Sequence, residues 1–450
     1  MATAISISSA SLTSVSRTFT SGAMTTNGTT PHNDPHSKPV TPPTEQDQPM
    51  KIASARIAVA TLLAASLAWA SAADIPLPHW KHLSSKAGEV PVPNGGKEQT
   101  ACVVFDIDKD GAADIVIAER TQAPAIIWLR HTNAGWAKYL MDGSAQTPEA
   151  GGCAWDVDGD GDLDFIIGGD YRSDELWWYE NPAPDFDPRK PWTRHLIKKG
   201  GGKAHHDQAM ADFKGNGKAQ LMFWNQGSRK LLMAELPDQV REATSWPVVE
   251  ILDTSKVQAA IKQEGMAVFD VDGDGQVDLL AGLYWFKHQG GNNFKAIQIA
   301  DHPGRIAAGH FKPGKIAQIV LAPGDGNGPL WFIECQGEPT DSKSWSRRRL
   351  LDREVLSGHS LAVADINGDQ HLDIFCAEMH TPGPGQKCTA WILYGDGRGD
   401  FQVQVLSVGI GNHESRVADL NGDGRLDIVT KPYTWDTPRL DVWLNQGNAR

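Results

Sequence analysis

Asp156-Val157-Asp158-Gly159-Asp160-Gly161-Asp162-Leu163-Asp164 is the stretch that decides how this chain reads. Acids stand at its positions 1, 3, 5 and 9 and Gly at position 6; the pattern returns whole in Asp106 to Asp114 and Asp270 to Asp278, and with Asn at position 3 in Asp365 to Asp373 and Asp419 to Asp427. Two eroded copies fill the gaps: Asp212 to Gln220, with Lys214 at position 3, and His310 to Gln318, with Lys312 there. First positions are separated by 50, 56, 58, 40, 55 and 54 residues. Seven units at this spacing have the size of four-stranded propeller blades.

Each copy is preceded by a short apolar run, as in Met266 to Phe269, and followed by a β-branched one, as in Ile115 to Ile117, so the motif joins two strands, A and B. Strand C is written as Ile126–Leu129, Leu176–Tyr179, Leu330–Ile333, Ala390–Leu393 and Val442–Leu444. Strand D is written as Trp136–Leu140, Trp192–Ile197, Trp246–Ile251, Phe294–Ile299, Trp345–Leu350 and Phe401–Leu406. The chain ends after its seventh strand C, whereas Trp80-Lys81-His82-Leu83 near the front has the strand D pattern with no blade before it. The expectation is an all-β, seven-bladed β-propeller over residues 79–447, its ring closed by that N-terminal outer strand, which leaves no open sheet edge.

Alternate acids ending at a Gly-permitted turn match the first part of a calcium loop, where hard oxygen donors face one ion. The expected ligands of about five structural Ca²⁺ are Asp106, Asp108, Asp110 and Asp114; Asp156, Asp158, Asp160 and Asp164; Asp270, Asp272, Asp274 and Asp278; Asp365, Asn367, Asp369 and Asp373; and Asp419, Asn421, Asp423 and Asp427. Lys214 and Lys312 put an ammonium at a ligand position instead, and Gln370 replaces the position 6 Gly, which predicts a strained turn. On these motifs the chain resembles the FG-GAP/VCBS repeat family of seven-bladed propellers, found in integrin α-chain heads and in many secreted bacterial proteins. The resemblance implies calcium-stabilised adhesion modules. Similar propellers include polysaccharide lyases acting on rhamnose–glucuronate linkages and an aldos-2-ulose dehydratase, to which Trp177-Trp178-Tyr179-Glu180-Asn181-Pro182 is similar.

The 450 residues carry 42 Lys and Arg against 55 Asp and Glu, a formal charge of -13, which argues against a nucleic-acid or anionic-lipid binder. Residues 1–49, rich in Ser, Thr, Pro and Ala, read as disordered. Residues 50–72 read as a signal peptide: a basic start at Lys51 and Arg56, an apolar run from Ile57 to Ala70, then small residues. That places the true start at Met50, with the preceding residues an early-called start, and makes the mature protein secreted or periplasmic, with no membrane span and a monomeric state expected. Five Cys rule out a disulfide scaffold; Cys376 and Cys388 flank one B–C loop, placed either to pair or to remain free thiols.

Antiparallel strands alternate ends, so the strand A starts and the B–C loops share the rim opposite the acidic loops. Six residues before each motif stand Thr100, Ala150, His206, Glu264, Gly304, His359 and His413; beside them fall His205, Asp207, Arg305 and Glu414. The B–C loops add Asp170, Tyr171, Arg172, Trp224, Glu378, His380, Lys431 and Tyr433. Two classes of function fit this set. One is a propeller binding a carbohydrate or protein ligand at the rim. The other is a carbon–oxygen lyase on a carbohydrate: an eliminase whose catalytic candidates are His206, His359, His413, Arg305 and Tyr433, with Arg305 or Lys431 holding a uronate carboxylate, or a dehydratase acting on a keto-sugar. The dehydratase reading places an additional metal at the His206, Glu264, His359 and His413 rim. Each of the histidines also has a plain reading, as a hydrogen-bond partner of connector carbonyls.

Overall fold

The computed structural model describes residues 75, 77–256, 262–379 and 387–448. The expected N-terminal tail and leader lie outside these residues, as does His380. Seven four-stranded antiparallel sheets form the blades of a propeller. Blade 1 comprises Gln99–Phe105, Asp114–Glu119, Ile126–Thr132 and Gly135–Asp142; blade 2 comprises Cys153–Trp155, Asp164–Gly168, Leu176–Glu180 and Thr193–Lys198. Blades 3 and 4 comprise His205–Ala211, Gln220–Asn225, Lys230–Glu235 and Val248–Asp253, then Met266–Phe269, Asp278–Ala281, Tyr284–His288 and Phe294–Gln298. Blade 5 holds Arg305–Gly309, Gln318–Ala322, Trp331–Cys335 and Trp345–Arg349, and blade 6 Ser360–Ala364, Asp373–Ala377, Thr389–Gly395 and Phe401–Val408. Blade 7 takes Arg416–Ala418, Asp427–Thr430 and Asp441–Asn448 from the C-terminal end, with Pro78–Ser84 paired antiparallel to Asp441–Asn448 as its outer strand. Among the described residues there is no α-helix, and no helix long and apolar enough to cross a membrane.

Strand B is the most apolar strand because it is covered on both faces by the neighbouring blades. Asp114–Glu119 and Gln318–Ala322 are buried throughout, whereas the outer strand Phe401–Val408 alternates between half-buried and exposed. The core accordingly lies between blades. Trp128 and Phe165 join blades 1 and 2, Trp178 and Phe223 blades 2 and 3, and Phe311 and Trp391 blades 5 and 6. Cys102, Ile115 and Ile117 of blade 1 pack on Val429 and Val442 of blade 7. The C strands of blades 3 and 4, which the aromatic pattern does not flag, are Lys230–Glu235, with no aromatic residue, and Tyr284–His288, reached after a turn of two residues. That short connection accounts for the 40-residue spacing to the next motif.

The A–B loops are built by their own side chains. Position 1 caps the turn: Asp106 Oδ2 accepts from the Gly111 amide at 3.0 Å and Asp270 Oδ2 from Gly275 at 2.9 Å. Position 9 reaches back to the amide of position 2, as in Asp114 with Ile107 at 3.0 Å and Asp373 with Ile366 at 2.8 Å. In the eroded blade 5, Gln318 Oε1 makes the same bond to Phe311 at 3.0 Å.

Gln370 takes up φ 73°, close to the 82–94° of Gly111, Gly161, Gly275 and Gly424 at the same position. Lys109 at φ 59° likewise stands where blades 2, 4, 6 and 7 have Gly159, Gly273, Gly368 and Gly422. A side chain in this region costs about 1–2 kcal/mol, partly recovered through the stiffer unfolded chain. Gln370→Gly and Lys109→Gly are therefore expected to stabilise the protein by roughly 0.5–1 kcal/mol each, read as a raised denaturant midpoint with unchanged slope.

Candidate functional site

The rim opposite the acidic loops gathers strand starts from separate blades around a cavity of about 170 Å³. His206, His359, His413 and Tyr433 line it, with Tyr171 at its edge, 61% exposed. Arg120, Glu149, Lys262 and Asp325 also line it. Of these, Arg120 and Tyr433 stand six residues past the end of their motifs, as do Gln226 and Met379, which complete the wall. That shared offset is the signal by which the repeat itself marks Arg120.

Arg305 does not line the cavity; it lies buried among the strand starts. One nitrogen bonds Asp207 Oδ1 of blade 3 at 2.5 Å, and the other pairs with Glu414 of blade 7 and lies 3.4 Å from His359 Nδ1 of blade 6. Its place follows from blade 5's own sequence. A Cβ at Gly304 would come within 1.9 Å of the Ala322 carbonyl oxygen, so the rim position carries no side chain and the next residue fills the centre. With both terminal nitrogens held by carboxylates, Arg305 is not the free guanidinium that a uronate-binding role requires. Lys431 is committed too: its ammonium donates to the Gln99 carbonyl at 2.6 Å and faces His413 Nδ1 at 3.1 Å.

The acids gripping Arg305 have left-handed backbones, φ 47° at Asp207 and 57° at Glu414. The equivalent residues of blades 2 and 4 are Gly151 at 102° and Gly265 at 81°. Putting a carboxylate on a glycine's conformation costs of order 1–3 kcal/mol per residue, which the buried ion pairs offset.

Burial and charge set the histidines apart. Burial alone would push His206 down, but the Asp207 carboxylate, 2.6 Å from its Nδ1, outweighs this and holds it at about 9. Burial and then the Lys431 charge hold His413 well below its usual range, so that it is neutral at pH 7. Burial likewise lowers Lys431 to about 7. The rings form a stack, His359 on His413 at 5.1 Å and His413 on Tyr433 at 4.6 Å. At the mouth, the Arg120 and Arg172 guanidiniums lie 5.5 and 5.0 Å from the Tyr171 ring centroid.

Other sequence candidates serve the scaffold. Trp224 is in strand B of blade 3, 1% exposed and packed in the core, because the strand runs on to Asn225. Glu378 accepts the Leu356 and Thr389 amides, both at 2.8 Å, and pairs with Arg353. His205 bonds Lys198 at 3.0 Å, and Asp170 holds Arg172. Cys376 and Cys388 are not bridged to each other.

The expected rim metal set divides. His359 shares ligand reach with His413 and Glu414, and separately with Glu264 and Asp325, while His206 is bonded to Asp207. An ion at the first group would meet the Arg305 and Lys431 cations. In the acidic loops, positions 1, 3 and 9 of blades 1, 2 and 4 bring three carboxylates within mutual ligand reach, an oxygen-only donor set of the kind calcium takes.

A family model described as FG-GAP-like repeat matches residues 365–430, from the sixth motif through the seventh. Comparison with curated proteins gives no match. Among solved structures, the chain is similar to BBS1N, crystallised in complex with ARL6DN, at 10% identity and a TM-score of 0.52 over 82% of this chain and 98% of that one. It is also similar to the V. cholerae biofilm matrix protein Bap1, at 11% identity and a TM-score of 0.42 over 79% of this chain and 89% of that one.

Asp207→Asn is expected to bring the His206 titration, followed by NMR, from about 9 to below its ordinary 6.5, because burial then acts without its counter-charge. Protonated His206 contributes its stability in full below pH 6.5 and loses it as the pH rises through 9, so the deficit of Asp207→Asn should be largest in acid and shrink toward pH 9. Arg305→Met, which strands two buried carboxylates, should cost about 3–5 kcal/mol in urea denaturation.

Proposed function

We propose that this protein is a secreted, calcium-stabilised propeller that binds an acidic carbohydrate at the rim cavity. The observation that carries the reading is the mouth itself: Tyr171, exposed over most of its surface, lies beside the Arg120 and Arg172 guanidiniums at the edge of a cavity walled by stacked rings. A sugar ring stacks on such an aromatic face, and the exposed Lys262 of the cavity lining suits a carboxylate substituent, since Arg120 is already paired with Glu98 and Glu149 and Arg172 with Asp170. A protein ligand is the alternative, in keeping with BBS1N, whose structure is a complex with ARL6DN.

A second reading, elimination, is favoured by the divergent histidines. A neutral base and a protonated acid facing one cavity are the pair that β-elimination requires. With Lys431, held at about 7, in its uncharged form and accepting from the Nδ1–H of His413, the Nε2 lone pair of neutral His413 would take the proton next to a uronate carboxylate. The electrons would form the C=C bond as the C–O bond breaks, and His206 would deliver its proton to the departing oxygen, drawing on the Asp207 hydrogen bond at its other nitrogen.

A panel of acidic polysaccharides tests both readings. Binding that falls at least tenfold in Tyr171→Ala and in Lys262→Met is the expected result, and no binding to any member would sink the carbohydrate assignment. Growth of ultraviolet absorbance from unsaturated product, abolished by His413→Ala or His206→Ala, would establish elimination. Binding without product leaves a pure binding module. For the loops, excess chelator is expected to lower the melting temperature by several degrees, since anything that binds only the folded state raises it; an unchanged melting curve would remove calcium from the account.

A further inference from the structure

Strand C carries, beside motif position 9, a residue that faces position 3, and the two change together from blade to blade. In blade 1 Arg130 pairs with Asp108 and lies 3.6 Å from Asp110; in blade 4 Lys287 lies 2.6 Å from Asp272 and 2.7 Å from Asp274. In blades 3 and 5 the polarity is reversed: Lys214 pairs with Glu235, and Lys312 lies 2.5 Å from Glu334. Where position 3 is the neutral Asn367 or Asn421, the strand C residue is the uncharged Tyr394 or Leu444. Blade 2 alone sets acid beside acid, Asp158 and Glu180, and there Arg241 from the blade 3 connection lies 2.5 Å from Asp158, 3.0 Å from Asp160 and 2.9 Å from Glu180.

From this correspondence we infer that in blades 1, 3, 4 and 5 the cross-strand pair is the loop's own counter-ion, and that these four loops close without a metal. The Lys287 ammonium, 15% exposed, bridges the two carboxylates that an incoming cation would share. A divalent ion there would have to leave that ammonium buried without a partner, a costly state. Swapping the polarity in blades 3 and 5 preserves the pair while abolishing the acid, which a metal site would not survive. Arg241 bridges the blade 2 acids in the same way from a neighbouring connection, so metal dependence then falls to the loops of blades 6 and 7, and blades 1, 2 and 4 drop out of the five loops whose acids alone suggest calcium. That last step rests on the calcium reading above; the counter-ion claim does not.

Two measurements on the full chain decide the matter. Calcium titration calorimetry should give a stoichiometry unchanged by Asp272→Asn and raised by two in Arg130→Gln/Lys287→Gln. A wild-type stoichiometry that drops by one in Asp272→Asn would overturn the inference. Melting in chelator covers the case in which the Gln double variant does not fold. Asp272→Lys and Lys287→Glu should each lower the melting temperature, and the double variant, which rebuilds the blade 3 arrangement in blade 4, should recover most of the loss. A double variant no better than the singles would refute the pair. Absence of any calcium binding would refute the calcium reading alone, with the charge swap still judging the counter-ion.

Discussion

A single buried guanidinium holds the rim of this propeller together. Neighbouring blades already adhere through apolar side chains such as Trp178 and Phe223, but those contacts are local to each interface. Arg305 instead ties the strand starts of blades 3, 5 and 7, which are not neighbours, and the Asp207 carboxylate it grips also accepts the Gly265 amide of blade 4 at 2.7 Å. A buried charge of this kind is tolerable only when its partners are complete, since losing one leaves an uncompensated ion. Everything that makes the rim chemically distinctive depends on that condition. Asp207 holds His206 protonated, and Glu414, held below its ordinary range against burial by Arg305 and Arg416, adjoins the His413 at the base of the ring stack.

The opposite end follows another logic, in which side chains replace one another while keeping a bond. Position 9 accepts the position 2 amide as Asp in blade 1 and as Gln in blade 5, at 3.0 Å in both. An amide and a carboxylate both offer an acceptor oxygen; the amide adds an N–H donor, which Gln318 gives to the Ile316 carbonyl, and the carboxylate adds a charge. The acceptor is therefore what the turn needs, and the charge is a separate property available for a cation. This is why an acidic loop with the right spacing does not by itself report a metal: the same carboxylates serve first as turn caps.

The fold was almost wholly legible because the nine-residue motif brackets two strands and the Trp-bearing runs supply the rest. The outer position of Pro78–Ser84 followed from counting strands. Legibility failed in blade 3's strand C, where Lys230-Leu231-Leu232-Met233-Ala234-Glu235 carries no aromatic marker and its burial comes from neighbours distant in sequence. At the rim, one offset from the motif found His206, His359 and His413, and a second offset, read consistently, would have added Arg120. The role of Arg305 was misread for a physical reason: whether a guanidinium is free or spent depends on Asp207 and Glu414, 98 and 109 residues away along the chain. Trp224 was misassigned because strand B of blade 3 runs a residue beyond it, to Asn225, which turns an apparent loop aromatic into core.

Agreement and disagreement among repeats thus carry different information. Where the units keep one solution, as at the position 9 acceptor, which takes the position 2 amide in six blades and the adjacent Lys214 amide in blade 3, the residue answers a demand that every blade makes on its backbone. Where one or two units abandon the shared solution at a cost, the demand must come from outside the blade. Asp207 and Glu414 occupy a left-handed conformation that blades 2 and 4 give to Gly151 and Gly265, and no turn requires a carboxylate there. Both strained acids face Arg305, and both adjoin a histidine of the cavity wall. Strain that recurs in separate repeats and converges on one point is hard to attribute to the folding of either blade. It is what is expected where the architecture gives up local stability to position side chains for a ligand.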